Sequence, residues 1–141
     1  MNIDGVNNGI VLDHISAGKS MIIYKLLQLD KLDCSVAIIQ NAKSKKYGKK
    51  DIIKIDENIR LDFDVLGFVD PHITVNIVKD GELKLKKHME LPKTLTNVLK
   101  CKNPRCITSV EQEIVQRFKL VNEEKVQYAC IYCDVEAKLN D

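Results

Sequence analysis

The chain has 141 residues and a formal net charge of +2, and 45% of its residues are apolar while 30% are charged. This apolar fraction can offset the chain entropy lost on folding, which excludes the disordered, collagen-like and low-complexity classes. A length of about 150 residues per domain predicts one domain or two small ones. The net charge is too close to zero to indicate a nucleic-acid-binding protein by itself.

The sequence contains no segment that resembles a membrane span. The longest stretch without Asp, Glu, Lys or Arg is residues 34–42, which is nine residues, whereas a membrane-spanning helix needs about 20. The first residues, MNIDGVNNGIVLDHI, lack a basic segment and so do not predict a secretory signal. We therefore expect a cytoplasmic protein with no membrane partner, whose cysteines are free thiols or metal ligands.

The first 90 or so residues predict an α+β domain with a ferredoxin-like order of elements. Apolar residues at helical spacing predict a helix from an N-cap at Ser16 to about Leu32. Residues 62–70 predict a second helix with Asp62 as its N-cap and Pro71 beyond its end. The predicted strands are residues 9–15, 34–40, 51–55, 72–78 and 82–87.

The last two of these strands are joined by Asp80-Gly81, which is typical of a tight hairpin turn. The resulting order, β, α, β, β, α, β and one appended strand, is that of the split βαβ fold. A lysine-rich loop over residues 43–50 is predicted to connect the second and third strands.

A break at Pro92 predicts a second domain. Proline interrupts strand pairing and biases Leu91, before it, towards an extended conformation. We therefore expect one domain over residues 1–92 and another over residues 93–141. The second contains only 49 residues, and a unit of this size usually needs a metal or disulfides to fold.

Four cysteines supply that need. Cys101 and Cys106 form C-x4-C, and after 23 intervening residues Cys130 and Cys133 form C-x2-C. This spacing predicts one tetrahedral Zn²⁺ per chain in a zinc-ribbon-like β domain. Because protein fills all four ligand positions, the zinc is expected to be structural and not catalytic. Two alternatives remain open: a pair of disulfides, and a redox-active C-x-x-C at residues 130–133.

Five lysines fall within residues 43–50. One interpretation is a solvated hairpin loop, and the other is an anion site. Lys50 and Lys54 fall on one face of their strand, opposite Asp51, Ile53 and Ile55. Two ammonium groups on one strand face favour a phosphate site more than loop lysines alone would.

The sequence shows no catalytic constellation. His14, His72 and His88 are scattered, no glycine-rich phosphate loop is present, and the acidic residues show no pairing that would indicate acid–base chemistry. We therefore expect a binding or regulatory protein and not an enzyme.

Two other functions stay open. A zinc-ribbon nucleic-acid-binding protein could use the lysines from Lys43 to Lys50, with an affinity that falls steeply with salt. The low aromatic content of 5% argues against it, since few side chains can stack on bases. An oxidoreductase could use Cys130 and Cys133, and its thiols would react rapidly without removal of a metal.

Taken together, these residues resemble the regulatory chain of aspartate carbamoyltransferase over nearly the whole length. The stretches that carry the resemblance are GIVLDHI, YKLLQLDKL, GKKDIIKI, PHITVNIV, LPKTLTNVLKC and the cysteine frame. The resemblance implies an N-terminal domain that binds nucleotide effectors and pairs with a second regulatory chain. It also implies that the zinc domain contacts separate catalytic chains, which alone perform carbamoyl transfer to aspartate in pyrimidine biosynthesis.

In this family cytidine triphosphate (CTP) typically inhibits, with uridine triphosphate (UTP) as its partner in some members, and adenosine triphosphate (ATP) activates. The resemblance implies that Asp13 accepts from a ribose hydroxyl or base amine, and that His14 lies near phosphate or ribose. It also implies that Lys50 and Lys54 meet ribose and base oxygens, and that Lys86 meets phosphate.

Further residues of the site follow from the same resemblance. It implies that Asn76 lies beside the triphosphate and that Val78 and Leu83 pack around the nucleotide. Val11 belongs to the matching strand end. Near the N-terminus, the backbone groups that read the base edge are implied to be those of Asp4, Gly5 and Val6.

Overall fold

The computed structural model describes residues 6–111 and 113–137. The chain forms two compact units, Met1–Glu90 and Leu91–Asp141. The division falls beside Pro92, which has no amide donor and restricts the residue before it. Each unit is built around one antiparallel sheet.

The first unit contains a five-stranded sheet in the order β2-β3-β1-β4-β5, in which every neighbouring pair is antiparallel. This is the strand order of the ferredoxin-like fold with one strand appended at the β4 edge, so the predicted fold class is confirmed. The strands are β1 Gly9–Ser16, β2 Val36–Ser44, β3 Gly48–Ile55, β4 Thr74–Lys79 and β5 Glu82–His88.

Both helices of this unit pack on the same face of the sheet. They are α1, Ser20–Leu26, and α2, Phe63–Val69, and a single 3₁₀ turn, Leu29–Lys31, follows α1. On that face the strands bury alternate apolar residues because side chains point to opposite faces with a period of two. The core residues of this face include Ile10, Leu12, Ile53, Val75, Ile23 and Leu66, all fully buried.

The first helix is shorter than predicted, and its predicted N-cap is wrong. Ser16 is the last residue of β1, and α1 begins four residues later at Ser20. Gly18 and Gln28 adopt positive φ values of 96° and 54° on either side of the helix, which right-handed helical backbone does not allow. The cap comes from outside the local sequence, because the carboxylate of Asp51 on β3 accepts from the Ser20 amide and hydroxyl.

Two local predictions are confirmed. Asp62 caps α2, since its Oδ1 accepts from the backbone amides of Asp64 at 3.1 Å and Val65 at 3.2 Å. Asp80 and Gly81 both have positive φ, 53° and 77°. Positive φ at both central residues is the signature of the turn that suits the twist of a β-hairpin.

The lysine-rich loop is shorter than predicted. β2 continues to Ser44 and β3 starts at Gly48, so only residues 45–47 connect them. Lys43 and Lys49 are directly opposite each other on paired strands. A kink at Asn41, whose φ is 58°, lets the pairing continue past the apolar stretch.

The second unit contains a four-stranded antiparallel sheet in the order β6-β7-β8-β9. Its elements are β6 Thr94–Thr96, α3 Ile107–Val110, β7 Arg117–Asn122, β8 Gln127–Cys130 and β9 Glu136–Ala137. Leu95, Phe118 and Tyr128 are fully buried and form its small apolar centre. The Tyr128 hydroxyl donates to the carbonyl of Pro92 at 2.6 Å.

Over residues 6–111 and 113–137, none of the helices combines the length and the apolar composition that crossing a membrane requires.

Candidate functional site

The sheet face opposite the helices carries a row of polar side chains. Val11 on β1 lies opposite Lys54 on β3 and, on its other side, opposite Asn76 on β4. Asn76 in turn lies opposite Lys86 on β5. Directly opposed residues point to the same face, and strands are about 4.8 Å apart, so this row spans about 15 Å of the face. Two ammonium groups and an amide are thus aligned across four strands.

Asp13 and Lys50 form a buried ion pair next to this row. Lys50 Nζ lies 3.1 Å from Asp13 Oδ1, and the two side chains are 10% and 4% exposed. The same oxygen accepts from the backbone amide of His14 at 2.7 Å. Within the described ranges, Asp13 Oδ2 accepts no hydrogen bond. One carboxylate oxygen therefore orients the lysine, while the other can accept from a ligand.

His14 lies at an irregularity of β1, where its φ is 60° and the register shifts between Leu12 and Ile15. Its Nδ1 is 3.1 Å from the hydroxyl oxygen of Thr74 on β4. That hydroxyl is also 3.4 Å from Nδ1 of His88 on β5. The two histidines, which are 74 residues apart in sequence, are therefore joined through one threonine.

The surroundings of His14 favour its neutral form. Burial is the largest effect and lowers the pKa of His14, and the carboxylate of Asp13 opposes it. The ammonium groups of Lys50 and Lys86 lower the pKa further. Because the ordinary pKa of histidine is about 6.5, the ring carries little charge at pH 7.

An apolar cluster adjoins the polar groups on the same face. Val6, Val11, Ile52 and Val78 are buried together, and Ala42 packs against them. The cluster offers an apolar floor on which a flat ring system can rest beside charged groups.

The segment before β1 is tied to the hairpin turn between β4 and β5. The carbonyl of Asn7 accepts from the amide of Gly81 at 2.9 Å. The side-chain oxygen of Asn8 accepts from the amide of Asp80 at 3.0 Å. Leu83, which lies opposite Val78, is exposed.

The structure brings together most of the residues that the resemblance implied for the nucleotide site. Asp13, His14, Lys50, Lys54 and Asn76 lie on β3, β1 and β4, which are adjacent in the sheet. Asp4 and Gly5 lie outside the described residues.

Sequence reasoning missed Thr74 and His88 as neighbours of His14. The only signal was the alternation in HITVNIV, residues 72–78, which puts Thr74 and Asn76 on one face but does not identify the facing strand. The pairing of Asp13 with Thr74 and of Thr74 with His88 appears only once the strands are registered.

Two buried carboxylates fix the backbone that follows His14. Asp70 Oδ2 accepts from the amide of Ser16 at 2.6 Å, and Asp51 Oδ2 accepts from the amide of Gly18 at 3.1 Å. Burial raises the pKa of both carboxyls, but hydrogen bonds outweigh it and hold each pKa below its usual value. Among these hydrogen bonds, those from Ser16 lower the pKa of Asp70 most, and the one from the Ser20 hydroxyl lowers that of Asp51 most.

The remaining lysines of the run do not reach this site. Lys43, Lys45, Lys46 and Lys49 are exposed, and within the described ranges no carboxylate pairs with them. The ring of Tyr47 lies 5.3 Å from that of His72, and Lys46 Nζ lies 5.3 Å from the Tyr47 ring centroid. Tyr47, the aromatic residue of the β2–β3 hairpin, therefore packs against His72 and Lys46.

In the second unit the four predicted cysteines converge. Their Sγ atoms all lie within 4.8 Å of one another. The short distances link the first pair to the second: Cys101 to Cys133 at 3.5 Å and Cys106 to Cys130 at 3.7 Å. A disulfide needs about 2.05 Å, whereas Zn–S bonds of about 2.3 Å in a tetrahedron put sulfurs about 3.8 Å apart. The four thiols are positioned to hold a metal ion.

The thiols of this cluster differ in their hydrogen bonding and burial. The hydroxyl of Thr108, 3.1 Å from Cys106 Sγ, is the main reason that the pKa of Cys106 falls to about 6. Burial raises the pKa of Cys101 to about 12 and also raises that of Cys130. Of Cys101, Cys106 and Cys130, Cys106 is therefore the thiol that loses its proton first.

Comparison with known proteins gives the same two-part organisation. The family model described as aspartate carbamoyltransferase regulatory chain, allosteric domain, matches residues 1–90. The model described as its metal binding domain matches residues 93–141. The chain belongs to the aspartate carbamoyltransferase regulatory chain family.

Curated relatives agree with this assignment. The regulatory chain of Clostridium botulinum is 52% identical over 134 residues, which cover 95% of this chain and 92% of that protein. The one from Clostridium acetobutylicum is 51% identical over the same coverage. The one from Bifidobacterium longum is 45% identical over 99% of this chain and all of that protein. As a regulatory chain, the protein is a non-catalytic subunit.

Proposed function

We propose that this regulatory chain binds nucleoside triphosphates on the polar sheet face of its first unit. CTP and ATP are the proposed effectors, and UTP is a proposed co-effector. The signal passes to catalytic chains of aspartate carbamoyltransferase and so adjusts de novo pyrimidine biosynthesis. The observation that carries the proposal is the alignment of Lys54, Asn76 and Lys86 across adjacent strands beside the Asp13–Lys50 pair.

The charges of this face suit a triphosphate. Lys54 and Lys86 lie at the two ends of the row, with Val11 and Asn76 between them, so the row offers two cationic donors and one neutral donor to a phosphate chain. Charge-assisted hydrogen bonds of this kind are about twice as strong as neutral ones. The apolar cluster around Val11 and Val78 offers a surface for the base. Asp13 Oδ2 can accept from a ribose hydroxyl or a base amine.

A Zn²⁺ ion is the proposed metal of the second unit. The sulfur distances and the all-cysteine donor set support this choice, because four thiolates in a tetrahedron suit zinc. The bound ion would link residues 101–106 to residues 130–133 and so stabilise a unit with a very small apolar centre. With no open ligand position, it would take no direct part in a reaction.

The second unit is the proposed contact with catalytic chains. Over half of the large apolar side chains exposed in the described part of the chain belong to this unit of about 50 residues. They are Ile107, Val110, Val115, Val121, Ile131, Tyr132 and Val135. Such a concentration of exposed apolar surface is typical of a protein–protein interface.

A homodimer of regulatory chains is proposed to form through strand β2. The two edge strands of the sheet differ: β5 carries Lys84, Lys86 and Lys87, which disfavour pairing with another strand. β2 has no charged residue before Lys43, and Ile39 is exposed on it. An uncharged, apolar edge is the one suited to pair with a second copy.

The nucleotide proposal is tested by calorimetric titration of the full, zinc-loaded chain with CTP and ATP. We expect saturable binding that Lys54→Ala weakens at least about tenfold, since hydrogen bonds to charged groups contribute about 1.5 to 3 kcal/mol. Lys49→Ala is the matched control, because Lys49 is an exposed lysine of the same strand on the opposite face. No saturable binding, or equal affinity in the wild type and Lys54→Ala, would overturn the proposal.

A further inference from the structure

The hydroxyl of Thr74 lies between two imidazole rings that come from two different strands. Thr74 Oγ1 is 3.1 Å from Nδ1 of His14 and 3.4 Å from Nδ1 of His88. Thr74 is 1% exposed, so water does not substitute readily for either ring. The resemblance to known regulatory chains pointed to His14 but gave no role to His88.

The number of protons restricts how these three groups can bond. A threonine hydroxyl has one proton to donate and two lone pairs to accept with, whereas each neutral imidazole has one N–H and one bare nitrogen. Thr74 has no other side-chain partner in the described residues. If both rings donated to it, its own buried proton would have no acceptor, which is costly. One ring therefore donates and the other accepts.

The environments of the two rings decide the direction. His88 is exposed, so water can satisfy its Nε2 whether or not that atom carries a proton. His14 is half-buried beside Lys50 and Lys86, and burial keeps its pKa low and its ring neutral. A neutral imidazole intrinsically favours the proton on Nε2, and the hydrogen bond at one ring nitrogen fixes the state of the other. If Thr74 donates to His14 Nδ1, the neutral His14 ring carries its proton on Nε2, which it favours. His88 then donates from Nδ1 to Thr74, and water satisfies its exposed Nε2.

We propose that Thr74 and His88 are positioning residues that hold His14 as its Nε2–H tautomer, so that the ring presents a donor to an anionic ligand group. His88 Nδ1–H donates to Thr74, and Thr74 donates to Nδ1 of His14. Lys50 and Lys86, the cationic neighbours of His14, are donors only and cannot accept the Nε2 proton. The inference rests on the proposed nucleotide site, and it adds His88 and a defined proton arrangement to it.

The proton arrangement is measurable without any nucleotide. Long-range ¹H–¹⁵N spectra of the full, zinc-loaded chain report which ring nitrogen is protonated, and a His14→Gln variant assigns the His14 signals. We expect the Nε2–H tautomer in the wild type. Thr74→Val, which keeps the shape but loses the hydroxyl, should give a mixture of tautomers, while Thr74→Ser should match the wild type. A wild-type Nδ1–H tautomer, or spectra unchanged in Thr74→Val, would overturn the proposal.

The same variants separate positioning from general structural damage. His88→Leu should shift the His14 signals, whereas His88→Asn should not, because an asparagine amide can donate from the position of Nδ1. His72→Leu is the control for loss of a histidine, since His72 contacts Asp70 and not this group.

Binding of CTP and of inorganic triphosphate then tests the consequence. Thr74→Val and His88→Leu should each weaken both ligands about five- to tenfold, the usual effect of one lost hydrogen bond. Thr74→Ser, His88→Asn and His72→Leu should bind like the wild type. If tautomers change but affinities do not, the His14 ring is no anion donor and the inference is wrong. If the wild type binds neither ligand, the nucleotide site itself is wrong, while the ¹⁵N spectra still decide the tautomer.

Discussion

The hydroxyl of Ser20 donates a hydrogen bond of 2.7 Å to Asp51 Oδ2, which joins the first residue of helix α1 to the middle of strand β3. The same carboxylate accepts from the backbone amides of Gly18 and Asn41. Asp51 therefore caps a helix that has no capping side chain of its own and holds the irregular part of β2. Its neighbour Lys50 points to the opposite face, into the proposed nucleotide site.

Removal of this carboxylate charge should destabilise the first unit. We expect Asp51→Asn to lower the free energy of unfolding by about 2 kcal/mol, because a buried anion with several donors is replaced by a neutral group with fewer acceptor sites. Ser20→Ala, which removes only one of those donors, should cost about 1 kcal/mol. Urea unfolding followed at the amide signals of β1 measures both, and equal stability of Asp51→Asn and the wild type would contradict the assigned role.

Acid should weaken the first unit through Asp51 and Asp70. Hydrogen bonds hold the pKa of both carboxyls below the usual value, although burial acts in the opposite direction. A carboxyl with a lowered folded-state pKa contributes stability above its unfolded pKa, near 3.9, and loses it as the pH falls through the folded value.

The contribution of these two carboxyls to the unfolding free energy should therefore change little with pH above about pH 5 and decline below about pH 4. Asp70→Asn should be less stable at pH 6 and show a shallower decline. Amide signals of β1 in urea titrations between pH 3 and pH 6 test this. A decline of the same slope in wild type and Asp70→Asn would assign the acid sensitivity to other groups.

Loss of one cysteine ligand should affect the two units differently. Cys130→Ser should abolish tight zinc binding and unfold the second unit, since metal binding in four-cysteine sites of this size supplies most of the folding free energy. Nucleotide binding by the first unit should survive, and association with catalytic chains should fail. Cys34→Ser, a cysteine outside the cluster, is the control. Co-purification of Cys130→Ser with normal holoenzyme would contradict the assignment.

A charge on the apolar edge strand should prevent dimerisation. We expect Ile39→Lys on β2 to shift the full chain from dimer to monomer in sedimentation equilibrium, since an edge lysine opposes strand pairing. Leu85→Lys on β5 is the matched control, because Leu85 is also an exposed apolar residue of an edge strand. Dissociation by the β5 change and not by the β2 change would place the interface on the other edge.

The elements that are determined by residues close together in the sequence could be predicted from it. The cap at Asp62 and the turn at Asp80-Gly81 follow from local hydrogen bonding and backbone preference, and the strands follow from alternation. The first helix could not be bounded in this way, because its cap comes from Asp51, 31 residues away from Ser20. Strand ends around Ser44 and Gly48 were misplaced because pairing extended into a charged segment.

The candidate site shows the same division. Lys50 and Lys54 were placed on one face by strand alternation alone. The link from His14 through Thr74 to His88 needed the register of three strands, which no local pattern encodes. The cysteine spacing predicted one centre, and only the fold shows that the short distances join Cys101 to Cys133 and Cys106 to Cys130.

Control by nucleotides on this chain of a reaction performed by other chains can be measured on a reconstituted holoenzyme. Carbamoyltransferase activity of catalytic chains assembled with this chain would be measured against aspartate concentration, with and without CTP and ATP. We expect the aspartate half-saturation to shift several-fold, as for a coupling free energy of about 1 kcal/mol or more. The shift should disappear with Lys54→Ala and persist with Lys49→Ala. An assembled wild-type holoenzyme whose activity is the same with and without both nucleotides would show that nucleotides on this chain do not control the reaction.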